Sequence, residues 1–97
     1  MSGMTRSSEG LDRRRRKLLF HCWHRGIREM DLIMGRFADA HIGALSAAEL
    51  DDFEELAAVA DHKLLGWFTG EFEVPAEYDT PVFRKVRDFH WRLQEST

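Results

Sequence analysis

The sequence predicts an all-α protein, a compact five-helix bundle that forms a single domain. Three observations carry that prediction. Apolar residues recur at intervals of three and four along most of the chain. The only two prolines, Pro75 and Pro81, come late, so no proline interrupts a helix between residues 10 and 74. A chain of 97 residues has room for one core. Its content of 43% hydrophobic and 11% aromatic residues is enough to fold rather than stay disordered.

The first nine residues are polar and Ser-rich and read as a loose tail, leaving residues 10–95 as the folded helical domain. Helix 1 covers about residues 10–24. Leu11, Leu18, Leu19, Cys22 and Trp23 share a stripe, with the arginine run on the other side, although Arg15 interrupts the apolar spacing. His24 and Arg25 complement the dipole at its end, and Gly26 suits the left-handed conformation that stops a helix. Helix 2 covers about 27–41. Glu29 and Asp31 lie near its start, and its apolar set is Met30, Ile33, Met34, Phe37, Ala38 and His41. Gly43 is its stop.

Helix 3 has the clearest beginning. Ser46-Ala47-Ala48-Glu49 fits a capping box, in which each of the two polar side chains satisfies the other residue's backbone N–H. Leu50, Phe53, Leu56, Ala57 and Ala60 follow at helical spacing, and Asp51, Asp52, Glu54 and Glu55 make the outer face acidic. Asp61 ends this helix and caps helix 4, about 62–69, which Gly70 stops. Residues 71–79 form a connector, with a short strand over 71–74 as an option because Phe72 and Val74 alternate with acids. Thr80 caps helix 5, Pro81 suits its first position, and Val82, Val86, Phe89 and Leu93 line its core face.

The net charge of −3 hides a strong polarity. Residues 12–28 hold seven basic side chains against Asp12, a balance of +6. Residues 29–79 hold thirteen acids against Arg36 and Lys63, a balance of −11. Distinct basic and acidic faces suit a protein partner, and the acidic majority argues against nucleic acid as the general target. The Arg13–Lys17 run keeps a nucleic-acid or antitoxin-like module, working through basic helix 1, as the alternative.

Catalytic chemistry finds little support. No phosphate loop, dinucleotide fingerprint or nucleophile elbow occurs, and nothing assembles a nucleophile, a base and an orienting group. The chain is therefore read as a non-enzyme with no catalytic residues. His21, Cys22 and His24 have metal-ligand chemistry but no fourth ligand at a recognised spacing, so no metal site is expected. Core packing accounts for a lone cysteine on an apolar stripe. Trp67 and Phe68 belong to the core by default, or to an interface if partly exposed. No run is long and apolar enough for a membrane span. The opening MSGMTRSSEG lacks the apolar centre of a signal peptide, and a single cysteine fits a reducing compartment.

The most unusual stretch is His24-Arg25-Gly26-Ile27-Arg28-Glu29-Met30-Asp31. It reads either as a helix junction carrying a surface ion pair, or as a recognition patch made of a guanidinium fork, a gap without side chain and a carboxylate. On one continuous helix Arg25 and Glu29 would share a face.

Arg25-Gly26-Ile27-Arg28-Glu29 resembles the Arg-Gly-x-x-Glu motif of the FAD assembly factors of succinate dehydrogenase, the SdhE family. The order around it is also similar over about residues 11–93: a basic-aromatic helix before it, Met30-Asp31-Leu32 and Phe37 after it, then an acidic helix and Leu64-Leu65-Gly66-Trp67-Phe68-Thr69-Gly70. Gly35-Arg36 departs from the Pro-Phe of some branches, and the stretch from Arg25 to Asp39 looks like the alphaproteobacterial one. The resemblance implies a small bacterial, cytoplasmic helical protein. It implies binding to the flavoprotein subunit of succinate dehydrogenase, and in some bacteria to that of fumarate reductase, and promotion of covalent FAD attachment to a client histidine. FAD would belong to the client, with no cofactor held stably by this chain. By the same resemblance Arg25, Gly26 and Glu29 form the partner-binding surface, with Arg28 and Asp31 beside them.

Overall fold

The structure, a computed structural model, describes residues 10–95. The tail expected over residues 1–9 lies outside the described residues. Five α-helices follow in order: α1 (Arg13–Trp23), α2 (Arg28–His41), α3 (Ala47–Ala57), α4 (Asp61–Thr69) and α5 (Pro81–Glu95). Single 3₁₀ turns at Ile42–Ala44 and Ala76–Tyr78 lead out of α2 and into α5.

Helix α2 is the centre of the bundle, packed against α1, α4 and α5. It buries Met30, Ile33, Met34, Phe37 and Ala38, as the spacing predicts, whereas His41 stays exposed. Gly35 lies against the Trp23 indole, and a Cβ there would come within 2.5 Å of the ring, so α1 and α2 approach too closely for any side chain at 35. Phe37 meets the edges of Phe53 and Phe89, at centroid separations of 5.5 and 5.8 Å. Phe68 stacks on Phe83 at 5.0 Å. Full burial of a side chain of this size contributes about 1.5–3 kcal/mol.

Local chemistry explains most boundaries. Asp12, not residue 10, starts α1: its carboxylate accepts from Arg15 N at 2.8 Å, and Leu11 packs into the core from just outside the helix. Arg15, which breaks the apolar stripe, turns its guanidinium to the Ile42 and Leu45 carbonyls at 3.0 and 2.7 Å. It therefore satisfies the turn after α2 from a core-facing position. The Ser46–Glu49 capping box forms with both bonds in place. Thr80 Oγ1 accepts from Phe83 N at the start of α5, with Pro81 in the first position.

Further expectations are corrected. Helix α3 ends at Ala57 rather than near Ala60, and Ala60, not Asp61, precedes α4. The optional strand over 71–74 does not form, because no second strand is present among the described residues to pair with it. The core face of α5 is Val82, Phe83 and Val86, with Phe89 and Leu93 only half-buried. The Gly66 of the Leu-Leu-Gly-Trp-Phe segment lies under the Phe72 ring, whose own N–H returns to the Gly66 carbonyl at 3.0 Å. Trp67 is half-buried against Tyr78, and Phe68 is buried.

Candidate functional site

The stretch from Arg25 to Asp31 is the turn between α1 and α2 plus the first turn of α2. Gly26 makes the reversal. Its φ is +101°, which side-chain-bearing residues rarely adopt, and no atom stands within 4 Å of where its Cβ would be. The requirement at 26 is thus conformational, and the space above it is open. Ile27 precedes α2 with no side-chain cap, and Glu29 and Asp31 supply negative charge to the helix start.

Arg25 and Glu29 do not lie on one helix, contrary to the continuous reading. The Arg25 guanidinium points inward, its side chain only 5% exposed. Nε donates to Asp61 Oδ1 at 2.5 Å, Nη1 to the Ala57 carbonyl at 2.5 Å and Nη2 to the Val59 carbonyl at 2.7 Å. Its backbone N–H donates to Asp31 Oδ1 at 2.7 Å. One residue thus bolts the α1–α2 turn to the junction of α3 and α4. At the end of α3 the Ala58 and Val59 N–H groups serve the carbonyls of Glu54, Glu55 and Leu56, and the Arg25 guanidinium takes the Ala57 carbonyl in place of a further helical turn.

The five motif-derived residues therefore divide in two. Gly26, Arg28 and Glu29 are exposed, and form the outward face of the turn. Arg25 and the half-buried Asp31 hold that face in place from beneath. Asp61, the carboxylate partner of Arg25, is the residue of this arrangement that sequence reasoning missed. An acid at a helix start reads as a cap, and nothing in the spacing points to an arginine so far back in the chain.

The other candidate groups do not converge. Among the described residues no group of three or more His, Cys, Asp or Glu side chains is placed to hold a metal ion. Cys22 is buried, and burial pushes its thiol up to about 12, so at neutral pH it is neither thiolate nor nucleophile. His24 stacks on the exposed Phe20, and its Nδ1 lies 2.7 Å from the Phe20 carbonyl. The basic run of α1 is partly spent within the fold. Arg14 pairs with Asp51 and Glu54 of α3, Arg15 turns inward, and Arg16 reaches the Leu11 carbonyl at 2.8 Å. The α1–α3 groove beside it, of about 610 Å³, is lined by the apolar Leu18, Ala57 and Ala58 and by the acid Glu54 as well as by basic side chains. No helix among the described residues is long and apolar enough to cross a membrane.

Residues 16–90 match the protein family described as flavinator of succinate dehydrogenase. The chain is 35% identical over 80 residues to the FAD assembly factor SdhE of Acetobacter pasteurianus, covering 82% of this chain and 73% of that one. It is 34% identical over 77 residues to the mitochondrial succinate dehydrogenase assembly factor 2 of Dictyostelium discoideum, and 30% identical over 88 residues to that of Candida glabrata. These matches cover 79% and 87% of this chain but only 55% and 58% of the mitochondrial proteins, so the chain spans little more than half their length. No solved structure is a significant match.

Proposed function

The chain belongs to this family of succinate dehydrogenase flavinators, and from that premise we propose that it binds the flavoprotein subunit of succinate dehydrogenase and promotes covalent attachment of FAD there. The observation that carries the site is the exposed face of Gly26, Arg28 and Glu29 mounted on a buried guanidinium. Nothing in this chain performs the bond-making step. The flavin and the histidine that receives it belong to the client.

A helper of this kind acts through geometry. Covalent attachment requires the histidine and the flavin in near-attack position with water held away. A rigid helical wedge that binds the reactive arrangement of the client more tightly than other arrangements raises the population of that arrangement. The buried Arg25 fork supplies the rigidity, the bare Gly26 lets client backbone come close, and Glu29 offers a fixed carboxylate. The proposed setting is the bacterial cytoplasm, and the similarity to the Acetobacter protein supports the bacterial part of it. The basic run offers less to nucleic acid than its composition suggests, since Arg14, Arg15 and Arg16 already serve partners within the fold.

Co-purification with the flavoprotein subunit, scored by in-gel covalent flavin fluorescence with and without this chain, tests the reading. A stable complex and a rise in covalent flavin are expected. No complex and no change would overturn it. Sub-micromolar binding of duplex DNA at physiological salt would favour the module built on α1 instead.

A further inference from the structure

We infer that Asp61, at the start of α4, is a positioning residue for client binding, acting through Arg25 on the face formed by Gly26, Arg28 and Glu29. This rests on the assembly-factor reading and changes the part that Arg25 plays in it. The arginine of the motif serves the client from inside the fold, and the carboxylate that sets it lies outside the motif, 36 positions along the chain. The Arg25 side chain is 5% exposed, which leaves a client almost nothing of it to grip. Its Nε, Nη1 and Nη2 donate to positions 61, 57 and 59, all at the α3–α4 junction. Of these three acceptors only Asp61 carries a charge. A buried guanidinium deprived of its carboxylate is strongly unfavourable, so removing Asp61 drives the fork toward water.

What α4 forgoes is an independent observation. Asp61 is the acid of its first turn, Ala60 holds the capping position, and no side chain caps the helix. Alanine is a poor residue at that position. The carboxylate nearest to this uncapped start is given to the α1–α2 turn instead. The turn in question has no other clamp of comparable depth. Nothing stands within 4 Å above Gly26, whose φ is +101°, so packing from outside does not hold the reversal. From beneath, Arg25 is fixed by its fork, its N–H donates to Asp31 Oδ1 at 2.7 Å, and α2 begins three residues later at Arg28. Glu29 follows in the first turn of that helix. The relative placement of Gly26 and Glu29 is therefore set by a chain of contacts that ends at Asp61. A turn released from this clamp samples several arrangements, and affinity falls with the fraction of molecules that retain the matching one.

The test is a double-mutant cycle in a client-binding titration with full-length chains, at a temperature where circular dichroism shows each variant folded. Asp61→Ala is expected to weaken binding at least about 10-fold, and Asp61→Asn, which keeps the oxygen that accepts from Nε, to recover to within about 3-fold of the wild type. Glu29→Ala is expected to weaken binding about 10-fold in the wild-type chain but only about 2-fold in the Asp61→Ala chain, because a carboxylate no longer held in place has less to lose. Val86→Ala, a truncation in the core of α5, is expected to lower the melting temperature while leaving binding within about 2-fold. A merely structural role for Asp61 would not produce the coupling to Glu29. Equal effects of Glu29→Ala in both chains, or a loss of binding in Val86→Ala as large as that in Asp61→Ala, would overturn the inference. Should Asp61→Ala not fold, Asp61→Asn takes its place in the cycle, and additivity with Glu29→Ala again overturns it. Failure of the wild-type chain to bind the flavoprotein would instead overturn the assembly-factor reading itself.

Discussion

Arg14 and Arg25 both tie the first helix or its exit to the α3 side of the bundle, and both do it with a guanidinium on carboxylate. Arg14 reaches Glu54 through two bonds, at 2.8 and 2.6 Å, and also pairs with Asp51. Its side chain is 42% exposed and those of its acids 66% and 38%. Arg25 has one carboxylate and two carbonyls, with its side chain 5% exposed and that of Asp61 16%. Water competes for every bond of the first set and for few of the second. Counting ion pairs would rank the two together, whereas desolvation separates them. The buried pair is expensive to assemble and expensive to break, which suits a device whose task is to hold a turn in one conformation.

The largest expected effect is that of Arg25→Ala, which strands Asp61 and two carbonyls. Urea unfolding is expected to show a loss of about 3 kcal/mol. A loss no greater than that of Arg14→Ala would erase the distinction. Next comes Gly26→Ala, which tests the turn that Arg25 holds. There is room for the methyl group but not for its backbone conformation, so a loss of about 1–2 kcal/mol is expected. Gly26→Arg carries the same strain and adds bulk on the open face. It is expected to match Gly26→Ala in stability while losing client binding further. Equal binding by the two variants would remove Gly26 from the contact.

Salt and acid sharpen the contrast at the exposed end. The deficit of Arg14→Ala is expected to shrink as sodium chloride rises from low to molar concentration, while that of Arg25→Ala persists. Arg14 holds the Glu54 carboxyl below its ordinary value of 4.5. That pairing therefore contributes fully above pH 4.5, and the contribution is lost as pH falls through the lowered value. Stability curves of the wild type and Arg14→Ala are expected to converge below that point, and parallel curves would contradict the assignment. His90 gives a second, separate arm. Burial lowers its pKa from 6.5, so the unfolded chain takes up the proton first. Stability is expected to decline as pH falls from 6.5 through the lowered value, and His90→Leu is expected to lack that decline.

What was legible in the sequence was local. The Ser46–Glu49 box, Thr80-Pro81, and the positive-φ glycines at 26 and 70 each follow from chemistry within four residues. The apolar periodicity of α2 identified its buried face because the helix is central. The misses were contacts between distant parts of the chain. Arg15 looked like an interruption until the carbonyls of Ile42 and Leu45 came to it. At the end of α3, the Ala57 carbonyl finds its partner in Arg25, a residue 32 positions away. Phe83 was overlooked because α5 buries a wider face than a strict stripe, meeting Phe68 on one flank. At the candidate site the motif marked the right turn. It could not say that Arg25 faces inward and Glu29 outward, because no local rule decides which of two charged neighbours finds a buried carboxylate.

The most direct test of the central claim is the yield of covalent flavin on the succinate dehydrogenase flavoprotein subunit when it is produced with the Glu29→Ala variant of this chain. Glu29 is exposed in the first turn of α2, where its charge is a small surface contribution to the helix start. The account predicts a lower flavin yield with helix content unchanged by circular dichroism. A yield equal to that of the wild-type chain would contradict it.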